Sequence, residues 1–400
     1  MNIQYESLVP PVSKLFGRFG MEVGFVIPTE TGMRKSILDA TWPLREYMAR
    51  TGFHDYNKQA KGTSAKRICP LHFIVKSDVE LTKISLYRPE TKDGDPRLWI
   101  YDFSKFASAG ELVAIIIDGE KLYAVNCSRI NLEAELGNSS SVLGKLAAKL
   151  DTNAGAAAEL LSRLKVIGGK GFLPSLRLGD TGIGFTLETE LGIPANSRRA
   201  PDFRGIEIKS GRMHARRRSA SSRHVTLFSN VPSWRHSPFS ARNALETFGY
   251  NDKKTGRLQL FCSIDAKREN SLGFLLDTRL ENNHLVNVNK LRKPPGEDVF
   301  IWFWDALKTS FTEKHNETFW VGAKSQFIDG TEHFHYVEAR HTRKPPISTF
   351  ERLIADGGIC LDLTMSEKGS SAVRDHGYLF RIYGNRFDEL FPEVGTYPLV

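Results

Sequence analysis

Two adjoining stretches decide how this chain reads: Gly179-Asp180-Thr181-Gly182-Ile183-Gly184-Phe185-Thr186-Leu187-Glu188-Thr189-Glu190-Leu191-Gly192, and Ala200-Pro201-Asp202-Phe203-Arg204-Gly205-Ile206-Glu207-Ile208-Lys209-Ser210. The first is a glycine-rich loop feeding a short helix. That helix stops at Gly192, just ahead of Pro194, a helix-ending combination. The second closes on an alternating run. Ile206 and Ile208 face one way and Glu207 and Lys209 the other, as a half-buried strand requires. Asp202 sits before the strand, at a bend beside Gly205. Two carboxylates and one amine therefore collect at one strand end, and Glu188 on the preceding helix offers a third acid.

Phosphodiester hydrolysis uses these residue types. A hard Mg2+ ion takes carboxylate oxygens and keeps several waters, so two carboxylates can hold it. The ion polarises the phosphate and stabilises the leaving oxygen. A neighbouring lysine orients or deprotonates the attacking water and offsets developing negative charge. Spacing alone does not single this out, because Glu-x-Lys on a strand is commonly a solvated face. The Gly179–Gly184 loop is not a nucleotide loop, since it lacks both the G-K-[ST] ending and the dinucleotide spacing.

Working outward, the chain has 400 residues, 40% of them apolar, which is room for two domains with ordinary cores. Its net charge of +9 points to a polyanionic partner, nucleic acid first. Cys69, Cys127, Cys262 and Cys360 are scattered, with no C-x-x-C pair and no histidine at ligand spacing. That excludes a disulfide framework or a zinc module and fits a reducing cytoplasm. Residues Met1 to Lys14 contain no apolar leader core. The longest apolar run, Leu112 to Ile117, suits a buried strand and is too short to cross a bilayer.

From Glu22 to Cys127 short β-rich runs recur: Val23–Ile27, His72–Val75, Lys83–Tyr87, Leu98–Tyr101, Leu112–Ile117 and Leu122–Val125. Turn signals separate them, with Asp118-Gly119-Glu120 as a tight hairpin. Asn138 to Ser141 is a polar break. Val142 to Val166 then reads as helix, interrupted near Gly155. We expect a β-rich N-terminal domain over residues 1–140 and an α/β domain, with a mixed sheet, over 141–400.

The order of residues from Gly179 to Lys209 resembles the MvaI/BcnI family of restriction endonucleases, relatives of the nicking enzyme MutH. That family carries T-G-I-G-[FY]-T-L-E-x-x-L-G, then P-D-F, then G-I-E-[IL]-K-S. Here these are Thr181 to Gly192, Pro201-Asp202-Phe203 and Gly205 to Ser210. Thr226-Leu227-Phe228-Ser229, Phe248-Gly249-Tyr250 and Arg374-Asp375-His376-Gly377 extend the likeness, which covers roughly residues 155 to 395. The four residues between Asp202 and Glu207 are fewer than in MutH-like chains, which favours the restriction branch. The resemblance implies a PD-(D/E)xK core and a type II restriction endonuclease. It makes Asp202 and Glu207 the metal ligands, Lys209 the catalytic lysine and Glu188 an acid close to the metal. It also implies Mg2+ as cofactor, double-stranded DNA as substrate and a cognate methyltransferase in the same system. Targets of the family have a C-C…G-G core around one central base. A partner-dependent nicking enzyme and a non-enzymatic DNA-binding regulator are the alternatives.

Arg212, Arg216, Arg217, Arg218, Arg223 and His224 follow the catalytic strand as a basic, serine-interleaved run suited to phosphates. Arg374, Asp375 and His376 offer the donors and acceptors that read base edges, and the resemblance places them in a recognition region. His333, His335 and His341 alternate on a strand with no further close ligand, so packing is preferred to metal binding. Around residues 84–112 the sequence faintly resembles the effector domain of EcoRII-type enzymes, a DNA-binding pseudobarrel that takes a second copy of the site. Arg88, Lys92, Arg97 and Lys105 would then serve DNA, and a second site would stimulate cleavage. The alternative is a stability or dimerisation domain. A monomer cutting one strand at a time is preferred to a dimer.

Overall fold

The computed structural model of the protein describes residues 3–76, 78–193, 201–213, 224–291, 296–369 and 372–400. It divides into two compact units, Met1–Ala154 and Gly155–Val400.

The first unit contains α1 (Ile3–Arg18), β1 (Gly24–Val26), α2 (Glu30–Lys35), β2 (Leu38–Asp39), α3 (Trp42–Arg50), β3 (Arg67–Val75), β4 (Asp78–Tyr87), β5 (Arg97–Ile100), α4 (Phe103–Phe106), β6 (Val113–Asp118), β7 (Lys121–Asn126), α5 (Leu132–Gly137) and α6 (Val142–Leu150). The strands form one curled sheet in the order β1-β6-β7-β3-β4-β5-β2. Among the described residues of this unit, only the β3–β7 pair is parallel. One face buries Leu71, Phe73, Ile84, Leu98, Ile115 and Leu122. The other buries Ile74, Ala114, Ile116 and Val125 with Phe16, Leu136, Leu143 and Leu146 from the helices. That apolar seam holds α6 in the first unit, so the units divide after Ala154, later than the expected 140/141. The helical stretch breaks over residues 151–153, next to Gly155 as expected, and Gly155 opens the following helix.

The second unit contains α7 (Ala154–Gly169), β8 (Leu173–Pro174), α8 (Gly182–Glu190), β9 (Glu207–Arg212), β10 (His224–Ser229), α9 (Ala241–Phe248), β11 (Tyr250–Asn251), β12 (Leu258–Ile264), β13 (Phe274–Arg279), β14 (His284–Asn289), β15 (Glu297–Phe303), α10 (Trp304–His315), β16 (Glu317–Ile328), β17 (Thr331–Arg343), α11 (Ile347–Ala355), β18 (Ile359–Lys368), β19 (Ala372–Tyr383), α12 (Phe387–Leu390) and β20 (Glu393–Pro398). It is a mixed α/β arrangement, with three sheets among the described residues. In β20-β17-β16-β9, with β8 on β17, the β9–β16 pair is parallel and the others antiparallel. The other sheets are β10-β19-β18-β12-β11 and β13-β14-β15, both antiparallel.

Each sheet has its own reason to stay put. Ile206 and Ile208 of β9 pack with Phe319, Val321, Phe334 and Tyr336, under Leu160 and Leu164 of α7 and Ile183 and Leu187 of α8. The other two sheets share the larger core, where Leu227, Leu361 and Phe380 meet Leu285, Phe300 and Trp302, and α10 adds Trp304, Leu307 and Phe311. Helix α10 is thus rooted in one core while its last turn reaches the other sheet.

Candidate active site

Helix α8 is shaped by its glycines. A Cβ at Gly182 would stand 2.3 Å from the Arg177 carbonyl oxygen, so the close approach of loop to helix requires glycine there. The C-terminus is a Schellman turn. Gly192, at φ 73°, donates to the Thr189 carbonyl, and Ile193 donates to the Glu188 carbonyl. Ile183 and Leu187 are buried in the core. Their i, i+4 spacing leaves Gly184 and Glu188, one position on, along a neighbouring stripe. A Cβ at Gly184 would lie 3.8 Å from Glu188 Oε1 and 3.6 Å from Ser210 Oγ, so this stripe fronts β9.

Strand β9 is presented by a tight turn. Phe203 and Ile206 exchange backbone hydrogen bonds, with Arg204 and Gly205 both at positive φ (46° and 87°), the signature of a primed hairpin turn. Asp202, just outside the turn, accepts the Ile208 amide at Oδ2, 2.9 Å away. Its carboxylate is thereby fixed beside Glu207, which is 1% exposed. Lys209 Nζ lies 2.8 Å from Glu207 Oε1. Lys314 Nζ, from the end of α10, lies 2.8 Å from Oε2 as an ion pair without hydrogen-bond alignment. Sequence reasoning missed Lys314, because nothing in the sequence joins α10 to β9.

Electrostatics ties the group together. Burial raises the Glu207 carboxyl above its ordinary range, and Asp202 adds to this, while Lys209 and Lys314 oppose it. Half-buried Glu188 is raised by burial and then by Asp202 and Glu207, again against the two lysines. Three carboxyl groups thus feel one another across a cleft holding two ammonium groups. All the acidic donors are hard oxygens, and Glu207 Oε2 is buried, with the Lys314 ammonium as its partner. That donor set fits a hard divalent cation. The three carboxylates are not drawn within 4.8 Å of one another, and an ion that keeps several waters needs no such closure.

Among the described residues, a tighter group of possible metal donors is His224, Cys360 and Asp362. Both Asp362 oxygens are engaged there, by Ser263 Oγ and Arg381 Nη1, each at 2.5 Å. Burial pushes the Cys360 thiol up to about 12. A thiol held protonated is a poor metal ligand, and we read this group as a polar anchor for the start of β10.

The expected DNA-contacting residues separate. Arg212 is clamped by Glu332, with Nε–Oε1 and Nη2–Oε2 both 2.7 Å, over the Phe334 ring. His224 is half-buried, edge-on to Tyr383. Arg374, Asp375 and His376 are exposed on β19. Thr364 and Met365 of β18 pair with Gly377 and Asp375, so β19 bulges at His376, which re-aims it. His376 Nε2 meets Ser366 Oγ at 2.9 Å, and Asp375 accepts the Gly377 amide. Arg216 and Arg223 lie outside the described residues, as do Arg217 and Arg218. The three other histidines are engaged locally: His333 with the Thr331 carbonyl, His335 with the Gly168 carbonyl and His341 with Glu317.

The sequence profile of the MvaI/BcnI restriction endonuclease family matches residues 161–391, all within the second unit. Among solved structures, the chain is similar to the restriction endonuclease MvaI–cognate DNA substrate complex, at 22% identity and a TM-score of 0.50, over 61% of this chain and 98% of that one. It is also similar to MvaI in the absence of DNA, at 20% identity and a TM-score of 0.36, over 62% and 98%. The first likeness is one of fold. A comparison with curated proteins returns no match. With more than half its length matched, the chain belongs to the MvaI/BcnI restriction endonuclease family, whose members are type II site-specific deoxyribonucleases.

Proposed function

We propose that this chain makes Mg2+-dependent double-strand cuts in DNA at a short C/G-rich pseudopalindromic site, as a monomer taking one strand at a time. The carrying observation is the buried Glu207 carboxylate at the head of β9, beside Asp202 and faced by two ammonium groups. Asp202 and Glu207 would hold the metal. When bound, it would supply a Lewis acid for the scissile phosphate. Lys209, 30% exposed on the same face, is placed to orient the attacking water and to offset the negative charge that develops on the phosphate. Glu188, whose carboxyl feels those of Asp202 and Glu207, would add a third acid beside that ion.

DNA recognition falls to the exposed Arg374, Asp375 and His376, with phosphate contacts from the basic run that includes Arg216, Arg223 and His224. The charge supports this division. Residues 155–400 hold 35 Lys+Arg against 28 Asp+Glu, whereas residues 1–154 hold 20 against 18. A second-site role for the first unit has weaker support. Arg88 is engaged by the carbonyls of Gly94, Tyr56 and Gln59, and Lys105 pairs with Glu80. No helix among the described residues is long and apolar enough to cross a membrane. A cytoplasmic enzyme, with a methyltransferase of matching specificity guarding host DNA, completes the proposal.

The test is incubation of pure protein with unmethylated phage DNA, with Mg2+ or with EDTA. Discrete fragments with Mg2+ alone, absent for Asp202→Ala, are expected, and end sequencing then gives the site. Intact DNA in every lane refutes the proposal.

A further inference from the structure

His315 ends α10 and is 1% exposed. Its Nε2 lies 3.0 Å from the Leu227 carbonyl oxygen, and its Nδ1 lies 3.3 Å from Thr318 Oγ1. A carbonyl only accepts, so Nε2 carries the proton and Nδ1 accepts from the threonine hydroxyl. The ring also stacks on Trp320, at 5.7 Å and 9°. Burial, with Lys209 and Lys314 next, pushes its pKa down to about 3, so it stays neutral and its tautomer does not change.

The two partners stand in different sheets. Leu227 falls at the register shift of β10, between Thr226 and Phe228, so it has no partner across β19. A bulge frees a backbone group from the ladder, and this one gives its carbonyl to His315. Thr318, on β16, is the register partner of Glu207 across the β9–β16 pair. Lys314, one residue before His315, reaches Glu207 Oε2. Strand β10 pairs with β19, which carries Arg374, Asp375 and His376.

We propose that His315 is a positioning residue that ties the base-reading sheet to the catalytic carboxylate, gripping the β10 bulge with one ring nitrogen and the Glu207 register partner with the other. This rests on reading Glu207 as a metal ligand and β18–β19 as the base-reading hairpin. A shift of β19 on the correct sequence carries β10 with it. Through His315 that shift reaches the end of α10, and so the place where Lys314 meets Glu207. Lys314 gives Glu207 Oε2 a counter-charge, beside the one that Lys209 gives Oε1. Cleavage then depends on recognition through one imidazole.

The test compares single-turnover cleavage of the mapped site with cleavage of sites carrying one changed base, for the parent, His315→Leu and His315→Gln. Binding is measured separately in Ca2+, and melting follows folding. The leucine variant should lose roughly tenfold on the correct site, a typical effect for a residue that couples two sites. It should change little on altered sites, so discrimination falls by the same factor while Ca2+-supported affinity is kept. Glutamine retains a donor for Leu227 and an acceptor for Thr318, and should recover most of the discrimination. Parent-like rates and discrimination in His315→Leu overturn the proposal. So do equal losses on correct and altered sites together with a lowered melting temperature, which mark a purely structural histidine. Lys209→Ala is the separating control: if it cuts like the parent, the reading of the site has failed, whatever His315 does.

Discussion

Replacing Arg212 by alanine separates two roles that its sequence position leaves open. The guanidinium makes two parallel hydrogen bonds to Glu332, both 2.7 Å, with the side chains only 20% and 15% exposed. Charged bidentate pairs of this kind are among the stronger hydrogen bonds, and removal of one partner leaves the other poorly satisfied. We expect Arg212→Ala to lose about 2 kcal/mol of stability, or about 4–8 °C in melting temperature for a unit of this size. Glu332→Gln should lose part of the same amount, and the double variant should lose less than the two singles together. The pair also predicts the acid side. Arg212 holds the Glu332 carboxyl below its ordinary value of 4.5, so its stabilisation is present above that value and is lost as pH falls through the lower, folded-state value. The deficit of Arg212→Ala relative to the parent should therefore shrink below about pH 4. Melting is followed by calorimetry, and DNA affinity is followed against salt concentration. A phosphate contact would show as a salt slope lowered by about 0.9. An unchanged melting temperature with such a slope would refute the clamp and restore Arg212 to the DNA.

Two further substitutions probe the site and its reader. Gly184→Ala should fold and cut, since its methyl group meets only Ser210 Oγ and Glu188 Oε1 at ordinary contact distances. Gly184→Leu should keep the fold but lower cleavage at least about a hundredfold by crowding Glu188 and Ser210, beside which the proposed site would take the reacting phosphate; equal activity of the two variants, by fragment yield, would put that phosphate elsewhere. Ser366→Ala removes the hydroxyl partner of His376 Nε2 and should relax selectivity at one base position by roughly tenfold, within the range for a single base contact; unaltered selectivity over all single-base variants would remove His376 from base reading.

The parts of the fold legible in the sequence are those set by local rules. Each β-rich run of the first unit became a strand within a few residues of its expected bounds, because alternation and turn residues act over short distances. The Gly192 stop and the Asp202–Lys209 turn and strand read directly for the same reason. Helix α1 was not legible, since Pro10 and Pro11 lie in its interior and mask the helical pattern. Nor was the place of α6, whose apolar face fits either unit until the packing of Leu143 and Leu146 settles it. Lys314 and His315 look like the polar end of an ordinary helix. Their roles come from tertiary packing against β9 and β10. Arg212 shows a tertiary partner that the sequence hides. A basic run suggests DNA, but the geometry of Glu332 captures its first member.

The neighbours β9 and β16 are joined in the sheet yet separated in sequence by the whole chain from Met213 to Asn316. Emerging vectorially from the ribosome, a nascent chain acquires Asp202, Glu207 and Lys209 long before the strand that β9 must pair with. Closing so long a loop carries an entropic penalty that intervening structure reduces, and distant pairings form late. The intervening segment supplies β10 to β15 and α10, the last of which delivers Lys314. Truncated or half-made chains therefore hold the hydrolytic residues without the sheet that arranges them. In our reading of the site, a cell making this enzyme is shielded from unfinished copies by the order of translation itself.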